Sequence, residues 1–118
     1  YYDNSDEKYR WFNTHAPPDA VICSSNWQST SYFTDSITIR LDYTHNNESL
    51  TALFDEYDVS YLIIDDRTIG SYKSNKLIYP LFSLDIDNQV TIGTYQLVLE
   101  NIEYGDKYTI SFYKIKKL

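Results

Sequence analysis

The pattern of apolar and polar positions predicts a domain in which strands and helices follow one another. The run from Val59 to Ile64 is apolar, mostly β-branched or aromatic, and is followed by the acids Asp65 and Asp66. Such a run is typical of a strand that is buried on both faces at the centre of a parallel sheet. Because ligands bind at the carboxyl ends of strands in open α/β sheets, the acids indicate where a site would lie.

The residues before this strand carry the clearest helical pattern in the chain. Leu50, Leu53, Phe54 and Tyr57 are spaced at i, i+3, i+4 and i+7, which predicts a helix from Glu48 to Tyr57. We expect this helix to bury Leu50, Leu53 and Phe54 against the sheet.

The N-terminal third predicts two further helices and two further strands. Pro17 and Pro18 end the first helix, because proline cannot continue the helical hydrogen-bond ladder. The second helix is expected to turn Trp27 and Ser31 toward the sheet, with Tyr32 and Phe33 as further candidates. In order, the predicted ranges are 5–15 (helix), 20–24 (strand), 24–34 (helix) and 37–41 (strand).

The C-terminal part predicts one weak helix and one hairpin. Ile69, Tyr72, Lys76 and Leu77 form a possible helical face that would end at Pro80. Residues 95–103 and 107–116 alternate with a period of two around the turn sequence Tyr104-Gly105-Asp106, which predicts an antiparallel hairpin.

Together these elements predict an α/β fold built as a three-layer sandwich. A short parallel sheet of three strands would have helices on both faces, with strand 20–24 in the middle and the C-terminal antiparallel β-hairpin beside strand 59–64. The length of 118 residues suits one domain, so residues 1–118 are expected to form a single soluble unit.

Composition and charge narrow the class of partner. Seventeen acids against 10 Lys and Arg give a formal charge of −7, which disfavours nucleic acid as a partner. We interpret Lys114, Lys116 and Lys117 as the solvated end of a strand. The 13 tyrosines instead suggest broad and partly wet contacts with other molecules.

The single cysteine and the lack of a long apolar segment further narrow the class of protein. Cys23 lies in an apolar run, so a buried inert thiol is expected, and no internal disulfide is possible. No segment approaches the roughly 18 apolar residues of a membrane helix. The chain begins at Tyr1 and contains no Met, which suggests a fragment of a larger protein or a processed product.

The strand ends hold the candidate ligand-binding residues. Asp65, Asp66 and Arg67 have the chemistry of a divalent-metal or phosphoryl-acceptor site, but Cys23-Ser24-Ser25 stands where such a site needs further acids. We expect instead that Asp65 and Asp66 cap a helix and pair with Arg67 or Arg40, and that the chain does not bind Mg, Ca or Mn tightly. The candidate ligand-binding set is Ser24, Asn26, Trp27, Arg40, Asp65 and Asp66.

No catalytic residue, metal ligand or cofactor site is predicted. His15 and His45 lie in separate polar segments, and the chain has 3 Gly with no glycine-rich phosphate loop. Ser24 and Ser25 are expected to cap a helix. Asn47-Glu48-Ser49 is a formal N-glycosylation sequence, which would matter only if this part of the chain faces outside the cell.

Several segments resemble a known family. Tyr9-Arg10-Trp11-Phe12 and then Thr14-His15-Ala16-Pro17-Pro18-Asp19-Ala20-Val21-Ile22 resemble the "W, then T-P-x-D-A-V-V" opening of the soluble C-terminal domains of polytopic GT-C type glycosyltransferases. Tyr32-Phe33-Thr34 falls where that family often has "Y-x-T-G-R". Residues 53–65 are similar to its "L-x-x-Y-x-V-D-Y-V-V-V-D", and Tyr113-Lys114-Ile115 to its terminal "I-Y-K-V" strand.

The resemblance implies a non-catalytic extracytoplasmic accessory domain of a membrane glycosyltransferase that uses a lipid-linked sugar donor. Its partners would be the membrane-embedded portion of the same polypeptide and a glycan or protein acceptor, and an archaeal source is expected. The domain would lie on the extracytoplasmic side of the cell membrane. The family's catalytic acids lie between its membrane helices, so no catalytic residue is carried over.

One departure from the family limits what the resemblance implies. In the related oligosaccharyltransferase subunits a W-W-D-Y-G motif follows the first strand and helps to bind the acceptor. Here Ser25-Asn26-Trp27-Gln28-Ser29 keeps one Trp and lacks the acid and the glycine, which puts peptide-acceptor recognition in doubt. The alternative is a free-standing small α/β protein that binds a ligand at the strand ends near Ser24, Arg40 and Asp65.

Overall fold

The computed structural model describes residues 5–118, with the backbone alone for Ser5 and Asp6. Helices and strands alternate through the first part of the chain, and three strands close it. The α-helices are α1 (Ser5–Lys8), α2 (Arg10–His15), α3 (Trp27–Phe33) and α4 (Asn47–Tyr57), and the 3-10 helices are η1 (Asp66–Tyr72) and η2 (Tyr79–Phe82). The strands are β1 (Val21–Ser24), β2 (Ile37–Arg40), β3 (Tyr61–Asp65), β4 (Gln89–Ile92), β5 (Tyr95–Glu103) and β6 (Ile110–Lys117).

The six strands form one mixed sheet in the order β2-β1-β3-β6-β5-β4. Strand β1 pairs in parallel with β2 and β3, and every other pairing, β3–β6, β6–β5 and β5–β4, is antiparallel. The expected three-layer sandwich around a three-stranded parallel sheet is therefore wrong. Its three parallel strands exist in the expected order, but they are one half of a larger and mostly antiparallel sheet.

Two features of the C-terminal part account for this error. Strand β6 pairs with the whole length of β3, from Tyr61 opposite Lys114 to Asp65 opposite Ile110, so the hairpin continues the sheet. Strand β4 was not expected at all, although its residues alternate and Gly93 follows them. Gly93 has φ 60°, a left-handed conformation that glycine adopts readily, and it begins the turn from β4 to β5.

Two helix predictions also need correction. The single helix expected over residues 5–15 is divided at Tyr9, whose φ of −90° and ψ of −1° lie outside the regular helical values. The side chain of Tyr9 is fully buried, and its packing fixes this bend. The helical face expected over residues 69–77 is replaced by the 3-10 helix η1 and the segment that joins it to η2. Asp65 Oδ1 accepts from Arg67 N at the start of η1, and Asn75 Oδ1 accepts from Leu77 N and Ile78 N in the joining segment.

Helix α3 lies at the predicted place but turns a different face to the sheet. Thr30 is its buried residue, whereas Trp27 and Tyr32 are exposed and Phe33 is half-buried. The face was mispredicted because the α3 residue that packs inward is polar. Thr30 is bonded to two other buried hydroxyl groups, so an apolar stripe does not mark this surface.

The core has two layers, one on each face of the sheet. The α4-side core joins Leu50 and Phe54 of α4, both buried as predicted, to alternate residues of the strands, and Leu53 is half-buried at its margin. The α2-side core joins Tyr9 and Phe12 to the intervening strand residues. The strand residues of the α4-side core include Cys23, Leu62, Ile64, Ile92, Leu97, Leu99, Tyr113 and Ile115, and those of the α2-side core are Ile22, Tyr61, Ile63, Ile110 and Phe112.

The α2-side core covers only part of its face of the sheet. On β4, β5 and the end of β6 this face carries side chains that are exposed or half-buried and mostly polar. We call this surface the open face, and it consists of Gln89, Thr91, Gln96, Val98, Glu100, Lys114 and Lys116. No helix within residues 5–118 has the length and apolar character needed to cross a bilayer.

Candidate functional site

The carboxyl ends of β1 and β3 form the edge at which a site was predicted. Strand β1 leads to Ser24 and Asn26, and β3 ends at Asp65. The chain leaves β1 toward helix α3 on one face and enters β3 from helix α4 on the other, so a crevice is expected between these two strands. The Asn26 side chain crosses it and donates from Nδ2 to Asp65 Oδ2 at 3.0 Å. The structure therefore brings Ser24, Asn26 and Asp65 together.

The carboxylate of Asp65 is fully buried and has several donors around it. Besides Asn26, it accepts from Arg67 backbone N at 2.9 Å, from Nε at 3.1 Å and from Nη2 at 2.7 Å. A buried carboxylate needs such partners, because an unpaired charge away from water is costly. Asp65 therefore caps η1 and pairs with Arg67. Of the two arginines expected from the sequence as its partner, Arg67 and Arg40, the structure selects Arg67.

Arg67 forms the outer side of this ion pair. Its guanidinium carbon lies 3.7 Å from the centre of the Tyr108 ring, within the range of a cation–π contact. Hydrogen bonding to Asp65 raises the pKa of Arg67 further above its already high ordinary value. The Arg67 guanidinium therefore stays charged.

A chain of buried hydroxyl groups lies beside the crevice on the α2 side. Tyr9 OH is 2.6 Å from Thr30 Oγ1, which is in turn 2.8 Å from Ser24 Oγ. Ser24 Oγ also accepts from the backbone N–H of Asn26 at 3.1 Å. Burial raises the pKa of Tyr9 well above its ordinary range, so its hydroxyl stays protonated. Ser24 is thus held by its neighbours and fixes the turn into α3.

Two residues in this cluster, Thr30 and Thr68, were not among the sequence candidates. Ser25 Oγ accepts from Asp65 N at 2.9 Å and from Thr68 Oγ1 at 2.9 Å. Thr68 Oγ1 is also 2.7 Å from Asp65 O, three residues before it. Hydroxyl residues commonly bond to nearby backbone groups, so the spacing of Asp65 and Thr68 was the available signal.

Asp66 is directed away from Asp65 and toward strand β6. Its Oδ1 accepts from Thr109 N at 2.9 Å, and its own N–H donates to Thr109 O at 3.0 Å. The two acids therefore do not converge on one point, as a shared metal site would require. Among the side chains that the structure describes, those of residues 7–118, no group of three or more His, Cys, Asp or Glu is placed to hold a metal ion.

The remaining two candidates, Trp27 and Arg40, lie at the surface. Trp27 is the first residue of α3 and is 41% exposed. Arg40 is exposed at the end of β2, where its Cα is the register partner of Ser24. These side chains are at the margin of the crevice, and they are not part of its hydrogen-bonded interior.

The other reactive side chains are dispersed. Cys23 is buried in the α4-side core, and burial raises the pKa of its thiol, as expected for an inert cysteine. His15 stacks on Trp11 with ring centres 4.8 Å apart, and His45 Nδ1 lies 3.0 Å from Ser49 Oγ. These three residues belong to α2, β1 and the segment before α4, so they do not form a common site.

Asn47, the candidate for glycosylation, is the exposed first residue of α4. The hydroxyl of Ser49, which completes the sequence motif, takes part in capping the helix. Ser49 Oγ accepts from Asn46 N at 2.9 Å, and Asn46 Oδ1 accepts from Ser49 N at 2.8 Å, which together form a capping box. The Asn47 side chain has room for a glycan, and its modification stays a prediction.

Comparison with known proteins adds no relative to these observations. No protein-family model, no curated protein and no solved structure matches the chain.

Proposed function

We propose that this chain is a non-catalytic accessory domain of a membrane glycosyltransferase that uses a lipid-linked sugar donor. It would stand on the extracytoplasmic side of the membrane and contact the membrane-embedded portion of the same polypeptide. The proposal is supported by the resemblance of several segments to the soluble domains of GT-C type enzymes. Of those segments, residues 53–65 build the end of α4 and all of β3, and Tyr9, Trp11 and Phe12 pack against Phe112.

The burial and hydrogen bonding of Asp65 support the proposal that the domain is non-catalytic. This is the acid at the place where an α/β sheet would present a reactive group, yet it is fully buried and bonded to Asn26 and Arg67. A general acid or base needs to reach the reacting atom of a substrate. Because the side chains at the crevice bind one another, their role is to hold the strand ends together. The same bonds argue against the alternative of a ligand site between β1 and β3.

Exposed tyrosines on the surface are suited to contact with other molecules. Tyr32 is 82% exposed and Tyr104 is 75% exposed. Large exposed aromatic side chains are frequent at recognition surfaces because they combine apolar area with a polar group. A glycan or protein acceptor is therefore a reasonable partner for a domain of this kind.

The test compares the complete gene product with the domain alone. Membranes that contain the complete protein should transfer sugar from a lipid-linked donor, and the purified 118-residue chain should transfer none. Asp65→Asn in the isolated chain is the matched variant. Transfer by the isolated chain that Asp65→Asn abolishes would contradict the non-catalytic assignment. A complete gene product without membrane helices and without transfer would contradict the glycosyltransferase assignment.

A further inference from the structure

An open depression lies between two segments that the strand-end cluster does not use. One wall is the segment between β2 and α4, and the other is the segment that joins η1 to η2. The depression has a volume of about 730 Å³, which is within the usual range of ligand sites. It is lined by Tyr43, Thr44, His45, Asn46, Asn47, Ser74, Asn75, Lys76 and Leu77.

Asn75 holds the two walls in a fixed relation. Its Nδ2 donates to Tyr43 O at 3.0 Å and to His45 O at 2.8 Å, on the first wall. Its Oδ1 accepts from Leu77 N and Ile78 N, both at 3.0 Å, on the second wall. One amide side chain thus uses all four of its hydrogen-bonding positions to join the segments. The depression is therefore formed before any ligand arrives, which lowers the cost of binding.

The chemistry of the lining differs from that of the rest of the chain. The whole sequence has 17 acids against 10 Lys and Arg, but the lining residues include no acid and one lysine, Lys76. The other polar groups are amides, hydroxyls and one imidazole, which donate and accept hydrogen bonds. Such a set is suited to a ligand that carries many hydroxyl groups. It is less suited to a cation, for which carboxylates would be needed.

Tyr43 adds a flat apolar surface to this polar lining. Its side chain is 53% exposed, while its backbone carbonyl is fixed by Asn75. The face of an aromatic ring is electron-rich, so it attracts the weakly positive C–H groups on one face of a sugar ring. Asn46, Asn47 and Lys76 line the same depression and would supply the polar groups for the hydroxyl groups of that sugar.

We propose that this depression is a binding site for a sugar unit of a glycan, with Tyr43 as the stacking platform. The proposal deepens the accessory-domain function, on which it rests for its biological role. The binding itself is a property of the 118-residue chain and can be measured without any transferase activity.

The experiment is an amide NMR titration of the isotope-labelled chain, produced in a host without N-glycosylation. Cellobiose, mannobiose, chitobiose and digalacturonate are each added to about 10 mM, because single sugar units bind with dissociation constants near the millimolar range. At least one of them should shift the signals of Tyr43, Asn46, Asn47 and Lys76 together. The absence of such shifts with all four sugars would overturn the proposal.

Variants separate stacking from a general loss of structure. Tyr43→Ala should weaken binding by about tenfold, which corresponds to about 1.4 kcal/mol, whereas Tyr43→Phe should retain it because the ring remains. Tyr104→Ala is the control, since Tyr104 is exposed but belongs to the β5–β6 turn. Binding that is unchanged in Tyr43→Ala, or equally weakened in Tyr104→Ala, would also overturn the site.

The two proposals fail in different ways. Sugar binding without transfer by the complete gene product would leave the site in place and remove the transferase assignment. Transfer by the complete gene product, with no sugar bound by the chain, would remove only the site.

Discussion

The two halves of the sheet differ in how they are covered. All five residues of β3, in the parallel half, are buried, because α4 lies on one face and α2 with α3 on the other. In β5, in the antiparallel half, Tyr95, Leu97 and Leu99 are buried while Gln96, Val98 and Glu100 lie on the open face. Parallel strands in α/β folds are usually covered on both sides, whereas antiparallel strands tolerate one solvated face.

This difference separates polar groups that are bonded within the protein from polar groups that a ligand could reach. The acid, amide and hydroxyl groups at the ends of the parallel strands are buried or half-buried, and each of them is bonded to another protein group. By contrast, the polar side chains of the open face are exposed or half-buried, and Tyr43, Asn46, Asn47 and Lys76 of the depression are exposed. We therefore expect substitutions of these bonded strand-end groups to lower stability, and substitutions of exposed side chains such as Tyr43 to leave stability nearly unchanged.

The largest expected effect compares the two halves directly. Ile63→Ala, in β3, should lower the free energy of unfolding by about 2 to 5 kcal/mol, because the side chain is fully buried in the α2-side core beside its cross-strand partner Phe112. Val98→Ala, on the open face, should cost less than about 1 kcal/mol. Urea unfolding of both variants provides the measurement. Equal losses would show that the open face is covered in solution.

The second prediction concerns the buried ion pair. Asp65→Ala should destabilise the fold by about 2 to 4 kcal/mol, because Asn26 and Arg67 lose their common acceptor and Arg67 is only partly exposed. Asp66→Ala, which removes one bond to Thr109, should cost about 1 kcal/mol. Thermal and urea unfolding give both values. A loss for Asp65→Ala no larger than that for Asp66→Ala would mean that the crevice does not hold the strand ends.

The third prediction tests the contact between the β4–β5 turn and helix α4. A Cβ on Gly93 would lie 2.5 Å from Thr51 Oγ1, and its φ of 60° is unfavourable for other residues. Gly93→Ala should therefore cost about 1 to 3 kcal/mol. Within the described residues Thr51 Oγ1 is buried without a hydrogen-bond partner, so Thr51→Ala alone should be close to neutral.

A double variant then divides the cost of Gly93→Ala into two parts. In the background of Thr51→Ala the clash is absent, and only the cost of the left-handed conformation, about 1 kcal/mol, should remain. If the cost of Gly93→Ala is the same in both backgrounds, the turn does not press on α4.

The smallest effect is a pH dependence at the same corner of the antiparallel half. The hydrogen bond from Tyr95 to Asp55 raises the pKa of Tyr95 to about 12. Because the folded-state pKa is above the unfolded value of about 10, this contribution to stability is complete below about pH 10 and is lost as pH rises toward 12.

Tyr95→Phe isolates this contribution, since the ring still packs on Phe54 with centres 5.3 Å apart. The difference in unfolding free energy between the original chain and Tyr95→Phe should shrink as pH rises through that window. A difference that stays constant up to about pH 12 would mean that the bond is not formed in solution.

The sequence was informative where burial leaves a regular pattern. The stripe of Leu50 and Phe54 and the apolar run of β3 were identified because helical spacing and a continuous apolar strand are distinctive signals. The parallel pairing followed from the alternation of these elements. Strand β4 gave a weaker signal, since it has four residues, of which Gln89 and Thr91 are exposed and polar.

Only part of the strand-end cluster could be predicted from the sequence. The positions of Ser24, Asn26 and Asp65 at strand ends could be read from the order of the elements. The contacts that decide their role could not, because Thr30 is contributed by a helix and Asn26 is 39 residues from Asp65 in the chain. Whether a polar group is available to a ligand or already bonded depends on such distant partners.

The position of β6 has a consequence for how the fold is assembled. Among the six strands that the structure describes, β6 comes last in sequence, yet it lies between β3 and β5 and joins the parallel half to the β4–β5 pair. Neither half can close its hydrogen-bonded edge before residues 110–117 are available, so the sheet cannot be completed progressively from the N-terminus. During synthesis the edges of β3 and β5 therefore stay open until residues 110–117 have left the ribosome, and in this interval both edges are exposed to mispairing with other strands.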